Sequence, residues 1–223
     1  MGISKTDFIR GMQCRKMLWL DKHKRELRVI PPETQERMNA GTDFGIRARS
    51  MFGEYEDMTV YKPDSSFPDP DAMVAKTKQH LKIGTRVLCE AAFSDYNNYC
   101  AVDILRKTDD GYEIYEVKDS SGVYEQLIKD AGFQYYILSR CKIKIDKVCI
   151  VTHGEDEDDL FVINEVTDRA KSCFKWINDN IWDLNRIRKS DTEYAVEPGE
   201  QCEKPYRCWY YDYCHNVQNN EVL

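Results

Sequence analysis

The sequence predicts an α/β (α+β) fold, a mixed central sheet flanked by helices, and three observations predict it. Strand-like apolar runs follow one another at 85–93, 99–106 and 112–117, as expected of neighbours joined by short turns. Segments with helical spacing of apolar residues precede and follow them. A further strand-like run, 147–152, comes only after one of those helices, which makes the sheet mixed and covers it with helices.

The elements justify themselves in order. Ser4 opens a first helix, with Asp7 at the third helical position as in a capping box. Phe8, Ile9, Met12 and Leu20 recur at roughly helical spacing, and Cys14 falls on the same helix. Pro31-Pro32 ends that region. A second helix is expected over 33–52, with Met38, Phe44, Ala48 and Phe52 on one side. Gly41 and Gly45 lie inside it. Each costs roughly 1 kcal/mol relative to Ala, so close packing or close backbone approach is expected there. The stretch 61–70 reads as a loop and 71–81 as a short helix. Thr108-Asp109-Asp110-Gly111 is a hairpin turn between the second and third strands. Helices are expected over 124–140 and 167–188, with a short strand at 160–163 between them. The acidic run 155–159 reads as a solvated loop. Pro198-Gly199 breaks the chain before a cysteine-rich tail.

A length of 223 residues suits one domain with elaborations, 1–223. No apolar run is long enough to span a bilayer, and the first residues lack the apolar stretch of a secretory signal, so a cytoplasmic location is expected. Nine cysteines in such a chain read as buried small hydrophobes or metal ligands, not as a disulfide framework. A net charge of −7 does not advertise a nucleic-acid binder, although a local basic groove can sit on an acidic body.

The hairpin carries the chemistry. Asp103 interrupts the apolar strand Ala-Val-Asp-Ile-Leu, and Glu116 and Lys118 lie in Ile-Tyr-Glu-Val-Lys. Residues two apart on a strand share a face, and folding about the turn brings Asp103 alongside them. Two carboxylates form a hard oxygen site suited to Mg²⁺ or Mn²⁺, a metal that lowers the pKa of bound water and polarises a phosphoryl oxygen. The plainer reading of the same residues is a solvated hairpin face with an ion pair.

An aspartate, a hairpin, Glu-Val-Lys and then a helix carrying Phe-Gln-Tyr-Tyr resemble the RecB-like exonuclease branch of the PD-(D/E)XK nuclease superfamily. The resemblance implies a restriction-endonuclease-like sheet with its catalytic core over about 85–153. It implies metal binding at Asp103 and Glu116, with Val117 between Glu116 and Lys118 counted in the metal site. Lys118 assists, and Gln134 completes the catalytic set. The tyrosine usual four residues after the glutamine is replaced by Leu138, and Tyr135 and Tyr136 read as packing residues. The histidine usual on the helix before the sheet is replaced by Gly45. Glu90, ahead of Asp43, is the acidic residue offered in compensation.

Cys14 and the evenly spaced Cys202, Cys208 and Cys214 are similar to the iron–sulfur clasp of some members, CRISPR-adaptation exonucleases among them. The resemblance implies a [4Fe–4S] cluster joining 1–30 to 195–215, although the residues alone leave zinc open. Cys89, Cys100, Cys141, Cys149 and Cys173 read as core. DNA is the implied partner, as ends or single strands, with a protein partner in repair, recombination or CRISPR-type defence. Arg15, Lys16, Lys22, Lys24, Arg25, Arg186, Arg188 and Lys189 are candidate phosphate contacts. Trp209, Tyr210, Tyr211 and Tyr213 are candidates for stacking or for packing around the cluster. None of the four histidines shows a partner in the sequence, and His215 reads as surface. The implied function is a metal-dependent DNA exonuclease. The alternatives are an inactive DNA- or partner-binding module of the same fold, and a zinc-stabilised interaction domain.

Overall fold

The computed structural model describes residues 2–154 and 160–215, so the acidic run 155–159 lies outside the described residues. Helices α1 (Lys5–Gln13), α2 (Arg15–His23) and α3 (Pro32–Ala48) precede the sheet. Strand β1 (Glu56–Asp57), helix α4 (Pro70–Ile83) and strands β2 (Val87–Asp95), β3 (Asn98–Lys107) and β4 (Tyr112–Val117) follow. Then come α5 (Glu125–Arg140), β5 (Ile145–His153), β6 (Phe161–Glu165), α6 (Thr167–Lys189) and the short α7 (Tyr211–Cys214).

The six strands form one mixed sheet in sequence order. β2, β3 and β4 are antiparallel neighbours, and β5 lies parallel to β4 because α5 carries the chain back across the sheet. The expected turn closes with Thr108 N–H donating to the Gly111 carbonyl at 3.0 Å. One face of the sheet packs on α5 and α6 through Leu105, Ile114, Ile150, Phe133 and Ile177. A smaller cluster, with Tyr115, Val151 and Ala48, covers the other face beneath the end of α3. A third, of Met17, Trp19, Leu20, Ile187, Cys208 and Tyr210, joins the start of the chain to its tail.

The Ser4 capping box forms, with Ser4 Oγ accepting from Asp7 N–H at 3.1 Å and Asp7 Oδ2 accepting from Ser4 N–H at 3.0 Å. The first helix, however, is two. Cys14 adopts extended backbone (φ −153°, ψ 118°) and is at once the C-cap of α1 and the N-cap of α2. Apolar spacing runs through the break, so periodicity hid it. Strand β1 also escaped notice, because two acidic residues carry no strand signal and pair only through the β2 edge. The close packing expected at Gly41 and Gly45 is absent: a Cβ at 45 meets nothing within 4 Å, and at 41 only Asp119 Cβ at 3.9 Å. Both glycines line an open cleft, so they keep its wall bare.

Candidate functional site

Asp103, Glu116 and Lys118 meet at the end of the β3–β4 hairpin away from its turn. The pairing of Ile104 with Tyr115 sets the register, and Asp103 Oδ2 accepts from Val117 N–H at 2.7 Å. Glu116 is fully buried. Its Oε1 takes the Lys118 ammonium at 2.8 Å and the Lys5 ammonium at 2.6 Å. Its Oε2 accepts from Gln134 Nε2, which α5 holds in the core. Lys118 also reaches Asp130, on the first turns of α5, at 2.7 Å. The structure thus gathers Asp103, Glu116, Lys118 and Gln134, and adds Lys5 and Asp130.

The two carboxylates are driven apart. Burial and the negative charge of Glu116 push Asp103 up to about 7. Burial would raise Glu116 too, but the ammoniums of Lys118 and Lys5 prevail and hold it down to about 2. Lys118 and Lys5 both stay protonated, since attraction to Glu116 outweighs the cost of their own burial. One carboxyl per protein therefore carries the burden of excess negative charge, and it is Asp103. The Gln134 amide spends its nitrogen on Glu116, while Gln134 Oε1 is buried with no hydrogen-bond partner.

Lys5 gave one legible signal. An ammonium in the first turn of a helix opposes the helix dipole, a local cost that its distant partner Glu116 offsets. Glu90, near enough to Asp103 to oppose its charge, adopts left-handed backbone (φ 55°) and pairs with Arg49 at 3.1 Å. Arg49 is shared with Asp57 on β1, at 2.7 Å. Gly45, Glu90, Asp103, Glu116, Val117 and Lys118 all line one cleft of about 610 Å³. Asp43 does not line it. Among the described residues, no group of three or more His, Cys, Asp or Glu side chains is gathered closely enough to hold a metal ion.

The histidines are better partnered than the sequence suggested. His153, at the end of β5, hydrogen-bonds Asp119 at the rim of the cleft and packs on Phe44 at 4.1 Å. His23 stacks on Trp19 and reaches the Arg188 carbonyl at 3.0 Å, and His80 meets Thr85 Oγ1 at 3.1 Å. His215 is exposed and stacks on Tyr211. Tyr136 is core, its hydroxyl donating to Asn178 Oδ1 at 3.3 Å.

Cys14, Cys202, Cys208 and Cys214 line one small cavity of about 10 Å³ and are all free thiols. Gln13, next to Cys14, draws the tail in by donating from Nε2 to the carbonyls of Gln201 (2.9 Å) and Tyr206 (2.6 Å). Burial pushes the Cys208 thiol up to about 12 and raises Cys214 despite the Lys16 ammonium nearby. Cys89, Cys100, Cys149 and Cys173 are buried in the core, and Cys141 is half-buried.

Several of the basic residues expected to face DNA serve the fold instead. Arg15 and Arg186 pair with Asp183, and Lys16 and Lys24 converge on Glu193. Tyr210 is buried with its hydroxyl on Asp21 at 2.8 Å, and Tyr213 donates to Glu193. Trp209 is half-buried under the Arg10 guanidinium, 3.7 Å from the ring centre.

No protein-family model and no curated protein matches this chain.

Proposed function

We propose that this protein is a divalent-metal-dependent DNA nuclease of the PD-(D/E)XK type, an exonuclease acting on ends or single strands, with a [4Fe–4S] clasp between 1–30 and 195–215. The observation that carries the reading is the acidic centre itself: Asp103, Glu116 and Lys118 line one open cleft, and the buried Gln134 amide bonds Glu116. The donor set fits Mg²⁺ or Mn²⁺. Burial and Glu116 oppose the charge on Asp103, which a cation would favour, and Gln134 Oε1 is a buried acceptor without a partner. A site with two carboxylates and few other protein ligands is the kind Mg²⁺ uses, keeping waters and taking phosphate oxygens for the rest.

Asp103 and Glu116, with the Val117 backbone, would hold the ion, and the ion would supply an activated water and charge neutralisation at phosphorus. The chain's own residues do the remaining work. Gln134 and Lys5 fix the Glu116 carboxylate in one orientation. Lys118, anchored by Asp130, presents a permanent positive charge to the phosphoryl group. Four cysteines lining one cavity supply the thiolate count of a [4Fe–4S] cluster. Such a cluster would turn ligation energy into folding energy across the two chain ends.

One observation favours a second reading, a binding module without turnover. Both oxygens of Glu116 are already engaged, by Lys5, Lys118 and Gln134. The test is a cleavage assay on labelled single- and double-stranded DNA with Mg²⁺ or Mn²⁺, run beside iron and acid-labile sulfide analysis. Asp103→Ala and Glu116→Ala should each lose roughly 100-fold or more in rate. If both variants cut like the parent, the assigned centre is wrong. If the parent binds no Mn²⁺ by calorimetry and cuts nothing, the binding module is the correct reading.

A further inference from the structure

A further cavity, of about 340 Å³, lies where α1, α2, the segment after α2 and the tail meet. None of Asp103, Glu116 and Lys118 lines it. Four arginines do, Arg10, Arg25, Arg28 and Arg188, against two carboxylates, Asp7 and Asp21, on a chain whose net charge is −7. Both carboxylates are committed elsewhere. Asp21 takes the Arg10 guanidinium at 2.8 Å through one oxygen and the Tyr210 hydroxyl at 2.8 Å through the other. Asp7 Oδ2 accepts from the Ser4 N–H at 3.0 Å and the Ser4 hydroxyl at 2.8 Å, and lies 3.8 Å from Arg188. Arg25, exposed, and Arg28, half-buried, form no ion pair among the described residues. Arg28 is nevertheless held in place. Its guanidinium lies over Trp209, 4.9 Å from the ring centre, and Val29 N–H donates to the Trp209 carbonyl at 2.8 Å. Arg10 lies over the same ring at 3.7 Å. Burial and the charges of Arg25 and Arg10 push the Arg28 guanidinium below its ordinary value, against the pull of Asp21. The cations are thus held close at a cost that Asp21 does not offset.

We propose that this cavity binds a small phosphate-bearing anion, such as pyrophosphate, between Arg25 and Arg28 with Arg10 beside them. The assignment is independent of the nuclease reading above. Three features select the occupant. Two guanidiniums without an ion pair match an anion of about two charges, which a phosphoryl group carries and a single carboxylate does not. The guanidinium is a planar fork that fits phosphate oxygens, and one lying over an indole keeps N–H edges free to donate. The cavity stands at the lower end of the size range of ligand pockets, so it takes a small molecule. A bound anion would also tie the segment after α2 to Trp209 of the tail, and so stabilise the folded chain.

The experiment is isothermal titration calorimetry of the full chain with inorganic pyrophosphate, at fixed ionic strength and without divalent metal, beside thermal unfolding in the same buffers. The parent should bind pyrophosphate and melt higher as its concentration rises, whereas sodium chloride of equal ionic strength should do neither. Arg28→Gln should weaken binding roughly tenfold, and Arg25→Gln roughly threefold. Arg25 is exposed, so its variant tests the site even if Arg28→Gln disturbs folding. Arg37 lies on α3 and lines a different cleft, so Arg37→Gln should bind as the parent does. No binding by the parent at millimolar pyrophosphate, or parental affinity in either the Arg25 or the Arg28 variant, overturns the proposal. So does a loss confined to the Arg37 variant, which would put the anion in the other cleft. A labelled oligonucleotide without a terminal phosphate separates the remaining source of phosphate. If pyrophosphate displaces it, and Arg25→Gln weakens both alike, the arginines serve a nucleic-acid backbone and the small-anion assignment falls.

Discussion

Asp103→Asn should make the protein more stable while removing the activity proposed for it. Asparagine has the same shape and can still accept the Val117 N–H through Oδ1. What it lacks is the negative charge that burial and Glu116 oppose. The folded carboxyl, at about 7, lies above its ordinary value near 3.9. Ionising it therefore costs stability: nothing below about pH 4, progressively more as pH rises, and the full amount above about pH 7. Three units correspond to about 4 kcal/mol, which the open cleft beside this half-buried residue reduces to about 2 kcal/mol. At pH 8 the variant should melt about 4–8 °C higher than the parent, with a smaller gain at pH 5. Glu116→Gln should move the other way. It leaves the Lys5 ammonium without its charged partner while Lys118 retains Asp130, a loss of about 3 kcal/mol. Thermal unfolding followed by circular dichroism, without added divalent metal and from pH 5 to 8, reads both. Asp103→Asn melting below the parent at pH 8, or a gain that does not grow with pH, would refute the electrostatic account of the centre.

Other expectations follow from single contacts. Gly45→His meets no steric obstacle on the cleft wall, so it should fold and tighten Mn²⁺ binding in calorimetry; unchanged affinity would separate position 45 from the metal. Cys208→Ser should abolish visible absorbance and lower iron content, and undiminished iron would remove Cys208 from the ligand set. Burial would raise Glu193, yet hydrogen bonds from Lys24, Lys16 and Tyr213 hold it down to about 2. Its contribution is present above about pH 4 and is lost as pH falls towards 2. Glu193→Gln should accordingly cost about 1 kcal/mol at pH 7 in denaturant titrations and converge on the parent in acid.

The sheet was legible because its signals are local. The turn at Thr108–Gly111, the apolar runs of β2 to β4 and the length of α5 each follow from neighbours in sequence. The pairing of Asp103 with Glu116 was legible for the same reason, since a hairpin fixes its own register. What escaped depends on distant partners. Lys5 stands out only by its place in the first turn of α1 until Glu116, 111 positions away, is placed beside it. The basic clusters near the two chain ends looked like a DNA surface because sequence shows the cations and hides Glu193 and Asp183, which neutralise them. The surroundings of Tyr206 were hidden, because a single tyrosine in a loop carries no period and only the fold reveals that it lines a cleft. The break at Cys14 was invisible because apolar residues continue on both sides of it, Phe8 being buried on α1 and Met17 to Leu20 on α2.

Helix α1 bears on how the protein is born. Its residues are synthesised before α5 and α6, on which they dock, and Gln13 waits for Gln201 and Tyr206. Lys5 cannot reach Glu116 in a lasting way until those later segments have been synthesised and folded against it. A hairpin made before α5 therefore carries a Glu116 that still lacks Gln134, and a Lys118 that still lacks Asp130, so the braces on the acidic centre close only once α5 and α1 have packed together.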